Sequence, residues 1–279
     1  EKTLNHLYFA RERFWKGIRS IIEYEPTISG YTTTLNCIRQ NYPFEASIKS
    51  LLGFCNQVVI VDGGSDDGTW EKLEKIAKKN KKVIIHRQER DWSHKRFAVF
   101  DGLQKALARA ICTSEFCWQQ DSDEIVHERD YEKIKSLMKQ IPRNMDLVGL
   151  PVIEFWGGPE KVRLDINPWK WRLSRNRPHI THGIPSALRK YDEEGNVYAS
   201  PGTDGCDYIR NDNFEPIPFA SFYTEEAHIT REKALSGDKD ALQDYGTWFS
   251  QNTSQLPSVY HYSWFNLERK IKTYRDYWS

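Results

Sequence analysis

Four carboxylates and a histidine fall within the stretch "CWQQDSDEIVHE": Asp121, Asp123, Glu124, Glu128 and His127. Like charges at this spacing repel one another, so either water solvates them or something positive binds there. Side chains two apart on an extended chain project to the same side. Asp121 and Asp123 can therefore approach one cation together, provided the extended conformation lasts to Asp123. Oxygen ligands without cysteine favour Mg2+ or Mn2+ over zinc. An EF-hand loop does not fit, because Val126 stands where its sixth-position glycine is needed. An ion held by two carboxylates keeps open positions, which diphosphate oxygens fill. It would then neutralise charge on a departing nucleoside diphosphate.

A second acid, Asp62, ends the apolar run of "VVIVDGGSDDGT". A carboxylate there can accept hydrogen bonds from a base or ribose, and Gly63, Gly64 and Gly68 let backbone approach a ligand closely. Taken alone, this is also an ordinary turn, with Ser65 or Asp67 capping the next helix. Both motifs in order, each ending a strand, are much more specific than either.

The elements that would position these acids alternate. "ISGYTTTLN", "QVVIVD", "KVIIHR" and "EFCWQQ" read as strands. Between them Ile48, Leu51, Leu52 and Cys55, then Trp70, Leu73, Ile76 and Ala77, then Phe100, Leu103, Leu107 and Ile111 recur at helical spacing. Such alternation predicts a parallel sheet with helices on both faces. In such a sheet ligands bind beyond the carboxyl ends of the strands, where Asp62, Asp121 and Asp123 stand. Residues 28–150 form this nucleotide-type half, with a further helix over 130–141. Residues 151–263 form a second half with strands in "LVGLPVIEFWGG" and "WKWRLSR", and residues 264–279 a final helix carrying Trp264, Leu267, Ile271, Tyr274 and Trp278. Residues 1–27 form a helical extension, read as a docking helix, a membrane-surface helix or a linker to a further domain.

Composition narrows the class. The 279 residues carry 40 Lys plus Arg against 39 Asp plus Glu, a net charge of +1, which argues against a dedicated nucleic-acid binder. Five cysteines with no CxxC pair support neither a zinc ribbon nor a disulfide framework, so a reducing compartment is the default. No apolar run approaches the ~20 residues of a membrane span. A first residue other than methionine suggests a piece of a longer protein. Ten tryptophans exceed what a core requires, and Trp156, Trp169 and Trp171 could stack on sugar faces or pack between strands.

"VVIVDGGSDDGT", followed by "FCWQQDSDEIVHE", resembles family 2 glycosyltransferases of the GT-A fold over residues 28–150. The "QxDE-x-x-HE" form resembles a bacterial subgroup of surface-polysaccharide enzymes. The resemblance implies a GT-A, Rossmann-like α/β fold and a nucleotide-diphosphate sugar donor. It also implies a glycan or lipid-linked glycan acceptor, Mn2+ or Mg2+ as cofactor, and a cytoplasmic site at the inner face of the membrane. Carried over, Asp62 reads the nucleotide, Asp121 and Asp123 are the DxD pair, and Thr33 and Arg96 join Asp62 and Asp121 at the donor. Gly63 stands where many relatives have a second Asp. "YHYSWFNLERK" resembles the late "HYGW" segment of such sequences, which makes His261 a third metal ligand; an aromatic-cluster histidine is the other reading.

Family 2 enzymes generally invert the anomeric centre, a carboxylate deprotonating the attacking hydroxyl. Asp204 in "PGTDGCDYI" leads here, with Asp207, Glu225 and Glu226 behind it. "ITHGIP" stands where many relatives have an "HE" pair, so Gly183 replaces the glutamate, and His182 is assigned with Trp156 to the acceptor pocket. Two other readings stay open, a sugar nucleotidyltransferase and a non-catalytic carbohydrate-binding module on the same fold.

Overall fold

The computed structural model describes residues 24–90, 97–178, 180–182, 189–191, 197–199, 209–211 and 219–275. The first half alternates as its periodicity requires: β1 (Ile28–Thr34), α1 (Phe44–Phe54), β2 (Gln57–Asp62), α2 (Thr69–Lys79), β3 (Val83–Arg87), α3 (Phe97–Ile111) and β4 (Phe116–Gln119). β3, β2, β1 and β4 lie side by side, all parallel. Alternate residues of β2 show why its apolar run is continuous. Val58 and Ile60 pack with Ile48 and Leu51 of α1, while Val59 and Val61 pack with Ala108 of α3 on the opposite face. Gly30 permits the close approach of α1, because a Cβ there would lie 2.9 Å from both Cys55 Sγ and a Leu51 methyl.

β5 (Glu124–Val126), a short 3-10 turn and α4 (Tyr131–Gln140) follow, then β6 (Leu147–Trp156) and β7 (Trp169–Arg175). Beyond them come the short strands β8 (Ile180–His182), β9 (Arg189–Tyr191), β10 (Val197–Ala199), β11 (Ile209–Asn211) and β12 (Phe219–Ser221). α5 (Glu225–Leu235), α6 (Lys239–Gln255), β13 (Val259–Trp264) and α7 (Leu267–Thr273) complete the described chain. The main sheet runs β3-β2-β1-β4-β7-β6-β13-β5, with β12 also on β6, and most of its pairs are parallel. This is the mostly parallel α/β arrangement with helices on both faces that the GT-A resemblance implies.

The sheet must curl. β5 begins five residues after β4 ends, yet it lies four places further along the sheet. On a flat sheet that would be about 19 Å, more than a turn of this length spans when it is closed by a Glu124 N–H bond to the Asp121 carbonyl. Curling folds the β13–β5 end back over the end of β4. The acidic turn is therefore the seam of the curl.

Two expectations need correction. Trp264 belongs to β13, and the final helix begins only at Leu267, where the Asn266 side chain accepts the Arg269 N–H at 3.0 Å. Asp121 and Asp123 do not share an extended strand: β4 stops at Gln119, and Ser122 and Asp123 lie in a turn. Gln120 ends the strand by turning inward, where its amide donates to the Ser47 and Glu124 carbonyls. Among the described residues no helix is long and apolar enough to cross a membrane.

Candidate functional site

The two acids of the 121–123 turn meet different partners. Asp121 lies 2.8 Å from the Lys105 ammonium and 2.9 Å from the Arg172 guanidinium. Lys105 on α3 also binds Asp101 at 2.8 Å, and Asp101 accepts the Thr33 hydroxyl at 3.3 Å. Arg172 on β7 reaches Gln119 and lies 2.5 Å from the fully buried Glu124, whose other oxygen accepts the Asp121 N–H at 3.1 Å. Lys170 closes the group at 3.2 Å from Glu124. Burial alone would push the Asp121 carboxyl up, but Lys105, Arg172 and Lys170 hold it well below the usual carboxylate range. The same logic lowers Glu124.

Asp123 turns the other way. Its Oδ1 is 3.3 Å from Nε2 of His261 on β13, and the Tyr262 N–H donates to its carbonyl at 2.8 Å. Nδ1 of His261 hydrogen-bonds Glu154 of β6. Strand register causes this meeting, because His261 stands opposite Glu154 on one side and Glu124 on the other. Glu154 was invisible to motif reading. Its one signal is an acid inside the otherwise apolar "LVGLPVIEFW", where an unpaired charge would be costly.

Burial and Lys170 oppose a positive His261, but Asp123 and Glu154 outweigh them and push its pKa up to about 9 from 6.5. A raised pKa makes the pair a stabiliser that is complete below pH 6.5 and lost as pH rises through about 9. In chelator, wild-type urea stability should fall across that window, by on the order of 3 kcal/mol. A His261→Gln variant should fall much less. Parallel curves for the two proteins would show that the ion pair does not form.

Among the described residues no group of three His, Cys, Asp or Glu is arranged to hold a metal ion. The three expected ligands divide: Asp123 and His261 come together, while Asp121 is engaged by Lys105 and Arg172. The remaining pair still suits a hard divalent ion. Such ions bind through one or two protein groups plus phosphate oxygens and water, and a carboxylate on the far nitrogen, as Glu154 provides, is the usual support of a ligating histidine.

Asp62 ends β2. It is fully buried, and its oxygens accept the N–H groups of Gly64 (3.1 Å) and Ser65 (2.8 Å) and the hydroxyls of Thr34 (2.8 Å) and Ser65 (2.6 Å). These bonds tie the glycine turn to the end of β1 through Thr34, so Asp62 shapes the turn in this structure. A Cβ on Gly63 would meet the side-chain ends of Gln104 (Nε2, 2.9 Å) and Arg90 (Nε, 3.1 Å), which would have to shift to admit it. Gly68 is the N-cap of α2 and carries no side-chain cap, while Asp67 just before it accepts the Thr69 N–H at 3.0 Å.

Trp156 ends β6, 38% exposed, and stacks on Trp264 with ring centroids 5.2 Å apart. Trp169 and Trp171 pack on each other, and Trp169 fills the space over Gly149, an interstrand role. Glu225 is exposed in the first turn of α5, and no hydrogen bond or ion pair among the described residues joins it to Asp121 or Asp123. The backbone of His182 lies on β8, paired with Ile209. Arg96, Asp204 and Asp207 lie outside the described residues, as do 1–23 of the N-terminal extension.

The sequence matches the family model described as "Glycosyl transferase family 2" over residues 44–194, more than half of the chain. None of the curated proteins compared with it matches. Among solved structures it is similar to the mannosyltransferase PcManGT from Pyrobaculum calidifontis in complex with GDP-Man and Mn2+. That match has 16% identity over 53% of this chain and 44% of that one, with a TM-score of 0.37. It is also similar to S. aureus TarS 1-349 in complex with UDP-GlcNAc, at 19% identity over 54% and 45% of the two chains and a TM-score of 0.39. A second structure of TarS 1-349 matches at 16% identity over 91% and 75%, with a TM-score of 0.42. The chain thus spans less than half the length of the first two.

Proposed function

This chain belongs to glycosyl transferase family 2, and from that premise we propose that it moves a sugar from a nucleoside-diphosphate donor to a hydroxyl of a glycan or lipid-linked glycan. The observation that carries the reading is the split of the acidic turn. Asp121 is fixed and neutralised by Lys105 and Arg172, while Asp123 is paired with His261 beside it. A fixed, partly exposed carboxylate such as Asp121 is a rigid acceptor for a donor hydroxyl. Asp123 and His261 would hold Mn2+ or Mg2+, which would supply charge neutralisation for the diphosphate.

The transfer is proposed to invert the anomeric centre. The acceptor oxygen bonds to the anomeric carbon as the bond from that carbon to the diphosphate oxygen breaks, its electron pair leaving with the nucleoside diphosphate. The acceptor proton passes to a carboxylate, for which Asp204 in its Gly-rich segment leads and Glu225 follows. Surface-polysaccharide synthesis at the cytoplasmic membrane face is the setting that the "QxDE-x-x-HE" resemblance suggests.

The direct test is calorimetric titration with UDP, GDP, CDP and dTDP, each with and without Mn2+. Binding of one nucleotide that strengthens at least tenfold with Mn2+ is expected, and it would name the donor class. Absence of binding by all four would favour the carbohydrate-binding module.

A further inference from the structure

The carboxyl ends of β6 and β13 carry an aromatic row that continues onto α7. Trp156 and Trp264 have ring centroids 5.2 Å apart, Tyr274 follows at 5.8 Å from Trp264, and neighbouring planes differ by 30° and 34°. The Arg163 guanidinium lies 5.2 Å from the Trp156 ring centre and 5.1 Å from that of Trp264, and Asp165 accepts two hydrogen bonds from it at 2.9 and 2.7 Å. Lys270, itself buried, lies over Trp264 and Tyr274 and donates to the Ser263 hydroxyl. Two cations thus fix the row. Trp156 is nevertheless 38% exposed and Tyr274 46%. Large rings grouped in water mark a binding surface, where one such ring alone would not.

Strand geometry joins the row to the Asp123–His261 pair. β7 runs antiparallel to both β4 and β6, and β6 runs parallel to β13, so the ends of β6 and β13 lie on the same edge of the sheet as the end of β4. Glu154 reaches His261, and Trp156, two residues on, projects from the same face of β6 about 7 Å further along. In a regular strand Trp264 would fall on the opposite face from His261. A bulge between them inserts one residue and sets Trp264 opposite Trp156, the local re-aiming that bulges provide beside active sites. After Trp156 the chain turns through Gly157 and Gly158, and a Cβ on Gly158 would meet nothing within 4 Å, so open space adjoins the row. In the sheet order β6 and β13 lie beyond β4 and β7, away from the β3-β2-β1 strands and the Asp62 turn.

We infer that Trp156, Trp264 and Tyr274 form a stacking subsite for the second sugar of the acceptor, which is therefore an oligosaccharide rather than a single sugar. A pyranose presents a face of C–H bonds whose partial positive charge suits the negative face of an aromatic ring. The step of about 7 Å along β6 leaves the sugar that bears the attacking hydroxyl beside Asp123 and sets its neighbour on the rings. The inference rests on the transferase reading for the reacting sugar; the stacking itself needs only a glycan. Trp264 and Lys270 also hold β13 to α7, so the informative variant is at the exposed Trp156.

Labelled wild type, Trp156→Ala and Trp156→Phe would be applied in Mn2+ to an array of mono- to hexasaccharides, with and without the four nucleoside diphosphates. Calorimetry would give affinities for the glycans retained, and urea midpoints would confirm equal folding. Wild type should bind disaccharides and longer glycans at least tenfold more tightly than the monosaccharide that ends them. Trp156→Ala should lose that preference and Trp156→Phe keep most of it, with nucleoside diphosphate affinity equal in all three. Equal binding of mono- and disaccharides by wild type, an unchanged preference in Trp156→Ala, or retention of no glycan would overturn the inference, while nucleotide binding left the transferase reading intact. Trp156-dependent retention of oligosaccharides by a protein that takes no nucleotide would support the stacking subsite and overturn the transferase reading. Self-association that Trp156→Ala abolishes, with no glycan retained, would assign the rings to a second copy of the chain and overturn the inference.

Discussion

Replacing Arg172 by methionine should cost about 3–5 kcal/mol of stability, the usual result of removing one partner from a buried ion pair. The side chain is 4% exposed and serves Gln119, Asp121 and Glu124 together. Asp121 would retain Lys105, but the fully buried Glu124 would keep one cation among the described residues, Lys170 at 3.2 Å, beside the Asp121 N–H. Methionine fills a similar volume, so the loss reports charge more than packing. Lysine at the same position should recover part of it, because a point charge cannot fork between two carboxylates. Adding Glu124→Gln to Arg172→Met should restore 1 kcal/mol or more, as expected when two contacting changes share a partner. Urea denaturation of the four proteins measures all of this. A loss under about 1 kcal/mol in Arg172→Met would mean that water, not Arg172, satisfies the acidic turn.

Asp123→Asn should fold, with part of the ion-pair stability lost below about pH 9, and reduce transfer by about a thousandfold, equivalent to roughly 4 kcal/mol of transition-state stabilisation. The change is isosteric, and Glu154 still holds His261 through Nδ1. What disappears is the negative charge that would pair with His261 on a divalent ion. Asp121→Asn should behave differently: its carboxylate is already balanced by Lys105 and Arg172, so donor KM should rise more than kcat falls. Release of nucleoside diphosphate from the donor identified by titration gives both constants. Asp123→Asn activity within tenfold of wild type would remove Asp123 from the chemistry, and equal profiles for the two variants would remove the distinction between them.

Local pattern was enough to read the parallel half. β1 to β4 and the helices between them follow from continuous apolar runs and 3.6-residue spacing, and strand ends in such a sheet are where ligands bind. Hence Asp62, Asp121 and Asp123 stood out at once. The sequence of α5 and α6 carries little amphipathic contrast; α5 buries only Ala227 and Arg231. At Trp264 the aromatic spacing suits strand and helix alike, so pattern by itself does not place the boundary.

By itself the sequence determined which acids end which strands, because that depends on neighbours a few residues away. Only the tertiary structure decided which partners each acid meets. Asp62 is bonded by its own turn and by Thr34 of the neighbouring strand, Asp121 is neutralised by cations 16 positions earlier and 51 later, and Asp123 meets His261. Those partners arrive through the curl of the sheet and the register of β13 between β6 and β5. Charge–charge energies depend on distance and burial in space, and neither is encoded in spacing along the chain.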